Sequence, residues 1–408
     1  MRFLFRPPAT EGATLLALPW ELPLADWDDE WLLDVPSRGL SRHVVRFVAA
    51  EGRVYALKEI DERLARHEYA VLGDLEAEGM PTVSVLGICV DRPGDLPAIL
   101  VTRFLEYSLP YRFLFSGPRT DHSAEQLVDT LVVLLVRLHL AGVFWGDCSL
   151  SNTLIRPDAG ALTAHLVDAE TVERHPRLTD GQRGYDVDLA VDRVGAELMD
   201  LEFGGLLPRT IDPVELAVSV RHRYEALWGE VTAHETVGRG EQRWRVAARL
   251  QRLGDLGFDA GEVELVGGGD GFDLRVQPRV ALPGAHRHEL FRLTGLEVSE
   301  NQARRLLGDL RSYRAYLESV EGGPVSEAMA GHRWVTEKYL PVVDAVPAHL
   351  RGRLEPAEVF HQILEHRWFL SEAAGADVGT TVAAASYLDT VLAARPVELT
   401  TPGALLPR

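Results

Sequence analysis

Residues 142–168 have the sequence GVFWGDCSLSNTLIRPDAGALTAHLVD, and this stretch decides the fold class. Asp147 precedes Asn152 by five positions, and Asp168 ends a later strand pattern. Phosphoryl transfer needs a carboxylate to orient and deprotonate the attacking hydroxyl, and oxygen ligands to hold magnesium against the phosphates. Asp147 suits the first task, and Asn152 and Asp168 suit the second. Taken singly, such residues in loops are more often turn formers or caps.

A lysine upstream extends this pattern. The alternating strand sequence VYALKEI contains Lys58, and an inward-pointing lysine needs an acidic partner or an anion. Glu68 lies ten residues later on a predicted helix and offers that partner. We therefore expect Lys58 and Glu68 to be catalytic residues together with Asp147, although a surface lysine is the plainer alternative.

The loop SRGLSRH, residues 37–43, lies between the first two predicted strands. Gly39 allows a close backbone approach to a ligand, and Ser41, Arg42 and His43 offer hydrogen-bond donors. One glycine in a loop is a weak signal on its own. We expect Gly39, Ser41 and Arg42 to bind nucleotide phosphates.

The order of these features resembles the protein-kinase superfamily over roughly the first half of the chain. The resemblance implies an α+β fold: a bilobal protein-kinase-like domain with an antiparallel N-lobe sheet and a helical C-lobe. It also implies ATP and Mg²⁺ as cofactors. The implied roles are phosphate binding for Lys58, orientation of Lys58 for Glu68, catalytic base for Asp147, and magnesium ligation for Asn152 and Asp168.

Two further parts follow from the same resemblance. Residues 101–106 would form the hinge beside adenine, with Thr102 and Phe104 binding the cofactor. Asp186 or Asp188, at the start of the helix pattern DVDLAVDRVG, would be the buried aspartate that braces the catalytic loop.

The chain departs from ordinary protein kinases in the catalytic motif. Trp145 and Gly146 replace the usual histidine and arginine, and D-A-E replaces D-F-G. The form W-G-D-C-S-L-S-N is similar to the H-G-D-x-x-x-x-N of aminoglycoside phosphotransferases, the RIO family and lipopolysaccharide-core kinases. These departures favour a small molecule or glycoconjugate over a protein as acceptor.

Five segments resemble a bacterial family described as lipopolysaccharide-kinase-like, whose members carry a C-terminal domain of unknown function. The segments are LPWELPL, GLSRHVVRFV, TRFLEYSLPYR, LTGLEVSENQARRLL and AEVFHQILEHRWFLSE. They span nearly the whole chain. The resemblance implies a two-domain layout and names no substrate.

The second half is predicted to be mostly helical, with one β-hairpin in EVELVGGGDGFDLRVQPRV. Prolines between residues 206 and 213 place the predicted boundary between a kinase-like domain, 1–212, and a C-terminal domain, 213–408. His361 and Glu365 share a helix face, so they form either half of a metal site or part of an ordinary amphipathic helix.

A second motif in this half has two interpretations. Two predicted helices flank Gly295, with Ser299 as a cap, and a row of arginines follows. This pattern is typical of a helix-turn-helix, but it also fits plain helix packing with a solvated basic face. The row consists of Arg304, Arg305, Arg311 and Arg314.

Bulk properties exclude some classes. The chain has 408 residues, with 42 basic and 61 acidic side chains and a formal charge of −19, which disfavours nucleic acid and anionic lipid as partners. Two separated cysteines indicate a reduced, cytoplasmic setting. The N-terminus lacks a signal-peptide pattern. Charged residues interrupt the apolar stretch 127–145, so we expect a buried helix and no membrane span.

We therefore expect a kinase that transfers phosphate from ATP, with Mg²⁺, to a hydroxyl of an unidentified acceptor, while the C-terminal domain selects that acceptor. A nucleotide-binding pseudokinase that acts as an interaction protein is the first alternative. A kinase-fold nucleotidyltransferase, using the same residues with ATP reversed, is the second. The oligomeric state stays open.

Overall fold

The structure is a computed structural model that describes residues 1–5, 12–28, 31–33, 43–50, 53–116, 123–159, 161–233, 235–238, 258–268, 271–280 and 285–395. The described strands are β1 Arg2–Phe5, β2 Val44–Ala50, β3 Arg53–Ile60, β4 Val85–Val90, β5 Ala98–Arg103, β6 Leu109–Pro110, β7 Val143–Phe144, β8 Thr153–Asp158, β9 Ala161–Leu166, β10 Glu173–Arg174, β11 Glu235–Gly238, β12 Phe258–Gly268 and β13 Gly271–Val280. The described helices are α1 Gly12–Leu16, α2 Glu62–Ala77, α3 Tyr111–Ser116, α4 Ala124–Leu140, α5 Asp180–Phe203, α6 Pro213–Thr232, α7 Ala285–Thr294, α8 Glu300–Glu321, α9 Glu327–Trp334, α10 Leu340–Asp344, α11 Pro356–Ala374 and α12 Thr380–Thr390.

The N-terminal sheet has five antiparallel strands in the order β1-β4-β5-β3-β2. Strand β3 lies between β2 and β5, so Lys58 pairs in register with Val45 on one side and Leu100 on the other. One face of the sheet buries Tyr55 and Leu57 in an apolar core. This arrangement holds the Lys58 backbone rigidly inside the sheet.

Helix α2 follows β3 and brings Glu68 to the sheet. The Asp61 side chain accepts the Arg63 amide at 2.9 Å and caps the helix N-terminus. The buried positions of α2 recur every three or four residues: Ala65, Glu68, Val71, Leu72 and Leu75. Glu68 is therefore the acidic residue on an otherwise apolar buried face.

Helices α4, α5 and α6 pack together after the sheet. Capping boxes begin α4 at Ser123 and α5 at Thr179. Strands β6, β8 and β9 form a small sheet, and β7 pairs with β10. The antiparallel N-terminal sheet followed by a helical region confirms the predicted α+β fold class, and the arrangement is consistent with a kinase-like bilobal fold.

The chain divides into two compact units at positions that differ from the predicted boundary. The first unit is Met1–Arg156 with Thr163–Pro283, and the second is Pro157–Leu162 with Gly284–Arg408. The predicted boundary between 212 and 213 therefore lies inside the first unit. The physical reason is that α6 packs its buried residues, among them Leu216 and Val220, against α4 and α5.

The predicted hairpin is present in the first unit as β12 and β13, with β11 as a third strand. The segment EWLLDVP, residues 30–36, precedes the loop SRGLSRH, and its described residues contribute one bridge, between Leu33 and Phe47. Residues 241–253, in the half predicted to be mostly helical, lie outside the described residues.

The second unit contains helices α7–α12 around one apolar core. The fully buried Trp334 ring lies 5.7 Å from Tyr339 and 5.6 Å from Phe360, centroid to centroid. Asp158, within the segment Pro157–Leu162, accepts the Gln302 amide at 2.9 Å and thereby caps α8. At the expected cap Ser299, the backbone amide donates to Gln302 Oε1 at 3.1 Å.

None of the helices in the described ranges combines the length and the apolar character that a membrane-spanning segment needs.

Candidate functional site

Lys58 lies between two carboxylates that come from different parts of the chain. Its Nζ donates to Glu68 Oε2 on α2 at 3.1 Å and to Asp168 Oδ2, just after β9, at 2.9 Å. The Glu68 side chain is 1% exposed, whereas that of Asp168 is 31% exposed. Lys58 thus connects a buried anchor to a carboxylate that reaches solvent, as expected if Asp168 is to meet a ligand.

These contacts shift the pKa values of both Lys58 and Glu68. Burial acts to lower the pKa of Lys58, but the charges of Glu68 and Asp168 outweigh it and raise the pKa above its ordinary value. Burial, with the nearby Asp168 charge, raises the pKa of Glu68 to about 7 although Lys58 opposes the shift. The Ala169 amide also donates to Glu68 Oε1 at 3.2 Å and fixes the carboxylate orientation.

Asp147 and Asn152 meet within the loop between β7 and β8. Asn152 Nδ2 donates to both the Asp147 carbonyl and Asp147 Oδ2, each at 3.0 Å. The backbone amide of Asn152 in turn donates to Ser149 Oγ at 3.1 Å. Since Asn152 uses its NH₂ group on Asp147, its amide oxygen remains available as a hard ligand.

Gly146 gives this loop its shape. Its φ of +78° lies in the left-handed region, where a side chain is strained. An added Cβ would lie 3.1 Å from the Phe144 ring and 3.2 Å from the Thr171 carbonyl oxygen. A glycine before Asp147 therefore lets the chain turn there.

Trp145 lies two residues before Asp147, at the position where the ordinary protein-kinase motif has histidine. The side chain is fully buried, its Nε1 donates to the Asp168 carbonyl at 3.3 Å, and its own carbonyl accepts from the Thr171 hydroxyl at 2.7 Å. The replacement thus links the Asp147 loop to the Asp168 segment by packing and neutral hydrogen bonds.

Of the two candidate bracing residues, Asp186 holds the loop. It is fully buried and accepts the Trp145 amide at 2.7 Å and the Gly146 amide at 2.9 Å. His139 Nε2 also contacts Asp186 Oδ2 at 3.0 Å, and its Nδ1 contacts the Tyr224 hydroxyl at 2.7 Å. Asp188 instead forms an exposed ion pair with Arg221 on α6.

Glu197 holds the other end of the loop, and the sequence interpretation missed it. It accepts the Leu150 amide at 2.7 Å and the Ser151 amide at 3.1 Å, and it also bonds to the Ser151 hydroxyl. Burial raises its pKa, although these hydrogen bonds oppose the shift. The available signal was its spacing: Glu197 lies eleven positions after Asp186, three helical turns along one face.

Arg193, on the same helix, contacts Asp147 itself. Its Nε lies 3.1 Å from Asp147 Oδ1, with side chains 59% and 19% exposed respectively. It is seven positions after Asp186 and so shares the face that carries Asp186 and Glu197. One stripe of α5 thus reaches the loop at three successive points.

Glu170, the last residue of D-A-E, contributes a third carboxylate beside Lys58. Its Oε2 lies 3.9 Å from Lys58 Nζ and 3.0 Å from His43 Nε2. The Glu170 amide donates to Asp168 Oδ1 at 3.1 Å. His43, the last residue of the loop SRGLSRH, therefore contacts the segment that carries Asp168.

Of the other residues predicted to bind the cofactor, the structure describes Thr102 and Phe104. Thr102 is partly buried on β5 opposite Ala56, and Phe104 follows that strand with its ring edge-on to Phe47 at 5.7 Å. These positions continue the sheet that carries Lys58. The other three, Gly39, Ser41 and Arg42, lie outside the described residues.

In the second unit, the mostly buried His361 lies with its Nε2 3.2 Å from Glu365 Oε1. Burial lowers the pKa of His361, and Glu365 opposes the shift. In the described part of the chain, no group of three or more His, Cys, Asp or Glu side chains is arranged to hold a metal ion. His361 and Glu365, one turn apart on α11, make an i,i+4 side-chain contact of the kind found on helix surfaces.

The basic row on α8 pairs with acidic side chains. Arg305 lies 3.8 Å from Glu365, and Arg311 lies 3.0 Å from Glu289. Arg314 pairs with Glu318 at 3.1 Å. Such exposed pairs describe a solvated, charge-balanced helix face.

The oxygen ligands that Asp168 and Asn152 offer suit a magnesium ion bound together with a nucleotide better than a magnesium ion held by the protein alone. Mg²⁺ in proteins binds one or two carboxylates together with waters and substrate phosphates, and carboxylate and amide oxygens are its preferred ligands. Asp168 and Asn152 supply such oxygens. The neighbouring Cys148 offers no nucleophile, because complete burial raises its thiol pKa well above the ordinary value.

A family model, Domain of unknown function (DUF4032), matches residues 226–392, from within α6 to beyond α12. A search of curated proteins finds no match to this chain. Among solved structures, the chain is similar to one titled "WaaP in complex with acyl carrier protein", with 20% sequence identity and a TM-score of 0.35, covering 56% of this chain and 100% of that one.

Proposed function

We propose that this chain is a kinase that transfers phosphate from ATP, with Mg²⁺, to a hydroxyl of a small molecule or glycoconjugate. One observation carries the proposal: Lys58 bonds both Glu68 and Asp168, while Asn152 holds Asp147 on the neighbouring loop. These contacts support the proposal, because phosphoryl transfer needs a phosphate-binding lysine, oxygen ligands for magnesium and a carboxylate that orients the attacking hydroxyl.

Each residue has a physical task in this proposal. Lys58, kept charged and fixed by Glu68, binds the α- and β-phosphates of ATP. Asp147 orients the acceptor hydroxyl and takes its proton. Asn152 and Asp168 hold magnesium, which neutralises the negative charge of the phosphates when bound. Thr102 and Phe104 contact the adenine, and phosphate binding by Gly39, Ser41 and Arg42, which lie outside the described residues, stays a prediction from the sequence.

We assign acceptor selection to the second unit. An open cleft of about 600 Å³ lies there, lined by Arg367, Trp368 and several acidic side chains. The Trp368 side chain is 60% exposed, and an exposed aromatic face is suited to packing against a sugar or another flat ligand. Trp368→Ala should raise KM for the acceptor and leave KM for ATP unchanged.

The decisive experiment measures magnesium-dependent ATP turnover for the wild type, Asp147→Asn and Asp168→Ala. Loss of a proton-transferring carboxylate should lower turnover by about 10²- to 10⁴-fold. Asp192→Asn, an exposed aspartate on α5, is the matched control and should keep the wild-type rate. Equal rates in the wild type and both site variants would refute the assignment.

The same preparation separates the alternatives by product and by binding. Mass spectrometry of the acceptor distinguishes an added phosphate from an added AMP. Nucleotide binding without magnesium dependence, and without turnover on any acceptor, would select the pseudokinase. The filled Lys58, Asp147 and Asp168 positions favour catalysis over that reading.

A further inference from the structure

We propose that Arg193 binds a phosphate-type oxyanion beside Asp147, an inference that rests on the proposed function. The oxyanion belongs either to the terminal phosphate of ATP or to an anionic group of the acceptor. In both cases Arg193 is a substrate-contacting residue that neither the motif pattern nor the family match assigns.

The position of Arg193 is fixed by its neighbours on α5. Asp186 and Glu197 bind main-chain amides on the two sides of Asp147. Arg193 lies between them on the same helix face, since spacings of seven and eleven residues are close to two and three full turns. The helix therefore holds the start of the Arg193 side chain beside Asp147.

Only part of the guanidinium group is used in this contact. Nε lies 3.1 Å from Asp147 Oδ1, and the terminal amino groups have no partner within the described ranges. The side chain is 59% exposed, and a surface ion pair of this kind contributes little to stability. The remaining N–H groups form the planar fork that binds phosphate or carboxylate through two parallel hydrogen bonds.

Electrostatics also favour a protein cation beside Asp147, in addition to the magnesium of the proposed function. Residues 148–151 of the loop, CSLS, carry no positive charge, and in the proposed function Lys58 binds the α- and β-phosphates of ATP instead. An anionic substrate group approaching Asp147 would be repelled by its carboxylate. Arg193 offsets that repulsion, so it allows a phosphate and a catalytic carboxylate to lie side by side.

The test compares Arg193→Gln with Arg221→Gln by calorimetry. Arg221, on α6, is a suitable control because its partner is Asp188 of α5 and not a residue of the catalytic loop. The first arm measures affinities for Mg²⁺-bound ADP and for a non-hydrolysable ATP analogue. The second arm measures inorganic phosphate binding to protein already saturated with that analogue, when the terminal-phosphate position is filled.

Loss of a charge-assisted hydrogen-bonded pair should weaken binding about tenfold or more. If the oxyanion is the terminal phosphate, Arg193→Gln weakens the analogue and leaves ADP unchanged. If it belongs to the acceptor, both nucleotides bind normally and phosphate binding falls. Arg193→Lys should restore part of the loss in either arm, because it keeps the charge without the fork.

The proposal is overturned if Arg193→Gln binds within twofold of the wild type in both arms. It is also overturned if the wild type binds no phosphate and Arg193→Gln binds the ATP analogue with unchanged affinity. Thermal unfolding of both variants checks that they are folded. These arms need no turnover, so a kinase assignment that fails on turnover and an Arg193 assignment that fails on binding are separate outcomes.

Discussion

Replacing Glu197 by glutamine tests whether α5 sets the geometry of the catalytic loop. The carboxylate accepts the amides of Leu150 and Ser151 at 2.7 and 3.1 Å and bonds the Ser151 hydroxyl. Glutamine has the same shape but only one acceptor oxygen, and its NH₂ group would face an amide that also donates. The substitution therefore removes hydrogen bonds without removing volume.

The size of the effect follows from these contacts. A hydrogen bond to a charged group contributes about 1.5–3 kcal/mol, and an unpaired buried donor costs about 1–3 kcal/mol. Part of this is offset, because burial disfavours the ionised Glu197 and raises its pKa, a cost that neutral glutamine avoids. We expect the free energy of unfolding to fall by about 1–3 kcal/mol. A loop displaced by about 1 Å should also lose up to about 10²-fold in turnover.

Urea denaturation and ATP turnover should be measured on the same samples of Glu197→Gln. The matched control is Glu202→Gln, an exposed glutamate near the end of α5. A positioning role predicts a fall in kcat with little change in KM for ATP, because Lys58 is untouched. If Glu197→Gln matches the control in both unfolding free energy and kcat, the hydrogen bonds from Glu197 to the loop have no energetic role. A stability loss with normal kcat would limit Glu197 to folding.

Two further outcomes are expected from the buried parts of the fold. Burial holds the pKa of His139 below its ordinary 6.5 although Asp186 opposes it, so the unfolded chain takes up the proton first and the unfolding free energy should fall as pH drops below about 6.5. In His139→Gln, urea titrations at successive pH values should show a slope shallower by up to about 1.4 kcal/mol per pH unit; an unchanged slope would contradict this. Gly331→Ala would place a Cβ 2.4 Å from the Leu293 carbonyl oxygen and should lower the unfolding free energy by about 1–3 kcal/mol. Gly308→Ala, with open space around it, should instead be neutral or stabilising by up to about 1 kcal/mol, and equal results for the two would refute the packing argument.

The sequence predicted the fold wherever a residue type had few structural options. Lys58 in an alternating apolar strand needed an acidic partner or an anion, and Glu68, ten residues later on a predicted helix, was the candidate; the two side chains lie 3.1 Å apart. The predicted strands around Lys58 and the helix that carries Glu68 are also present, because their apolar periods match one buried face each.

The domain boundary could not be predicted in the same way. Prolines between 206 and 213 indicate a break in secondary structure, and a break is present between α5 and α6. A proline does not indicate whether the next helix leaves the domain. That depends on packing, and the buried face of α6 returns to α4 and α5. Local signals therefore located the loop but not the unit boundary.

The residues missed at the site share one property: each acts through a contact between segments far apart in sequence. Glu197 and Arg193 looked like ordinary charges on an amphipathic helix, and Glu170 looked like a departure from the D-F-G pattern. Their spacing was nevertheless informative. Charged residues at the first, eighth and twelfth positions of a stripe share one face, so when the first is a buried aspartate the others lie near the same loop. A buried bracing aspartate therefore predicts where on its helix to look for further loop-contacting charges.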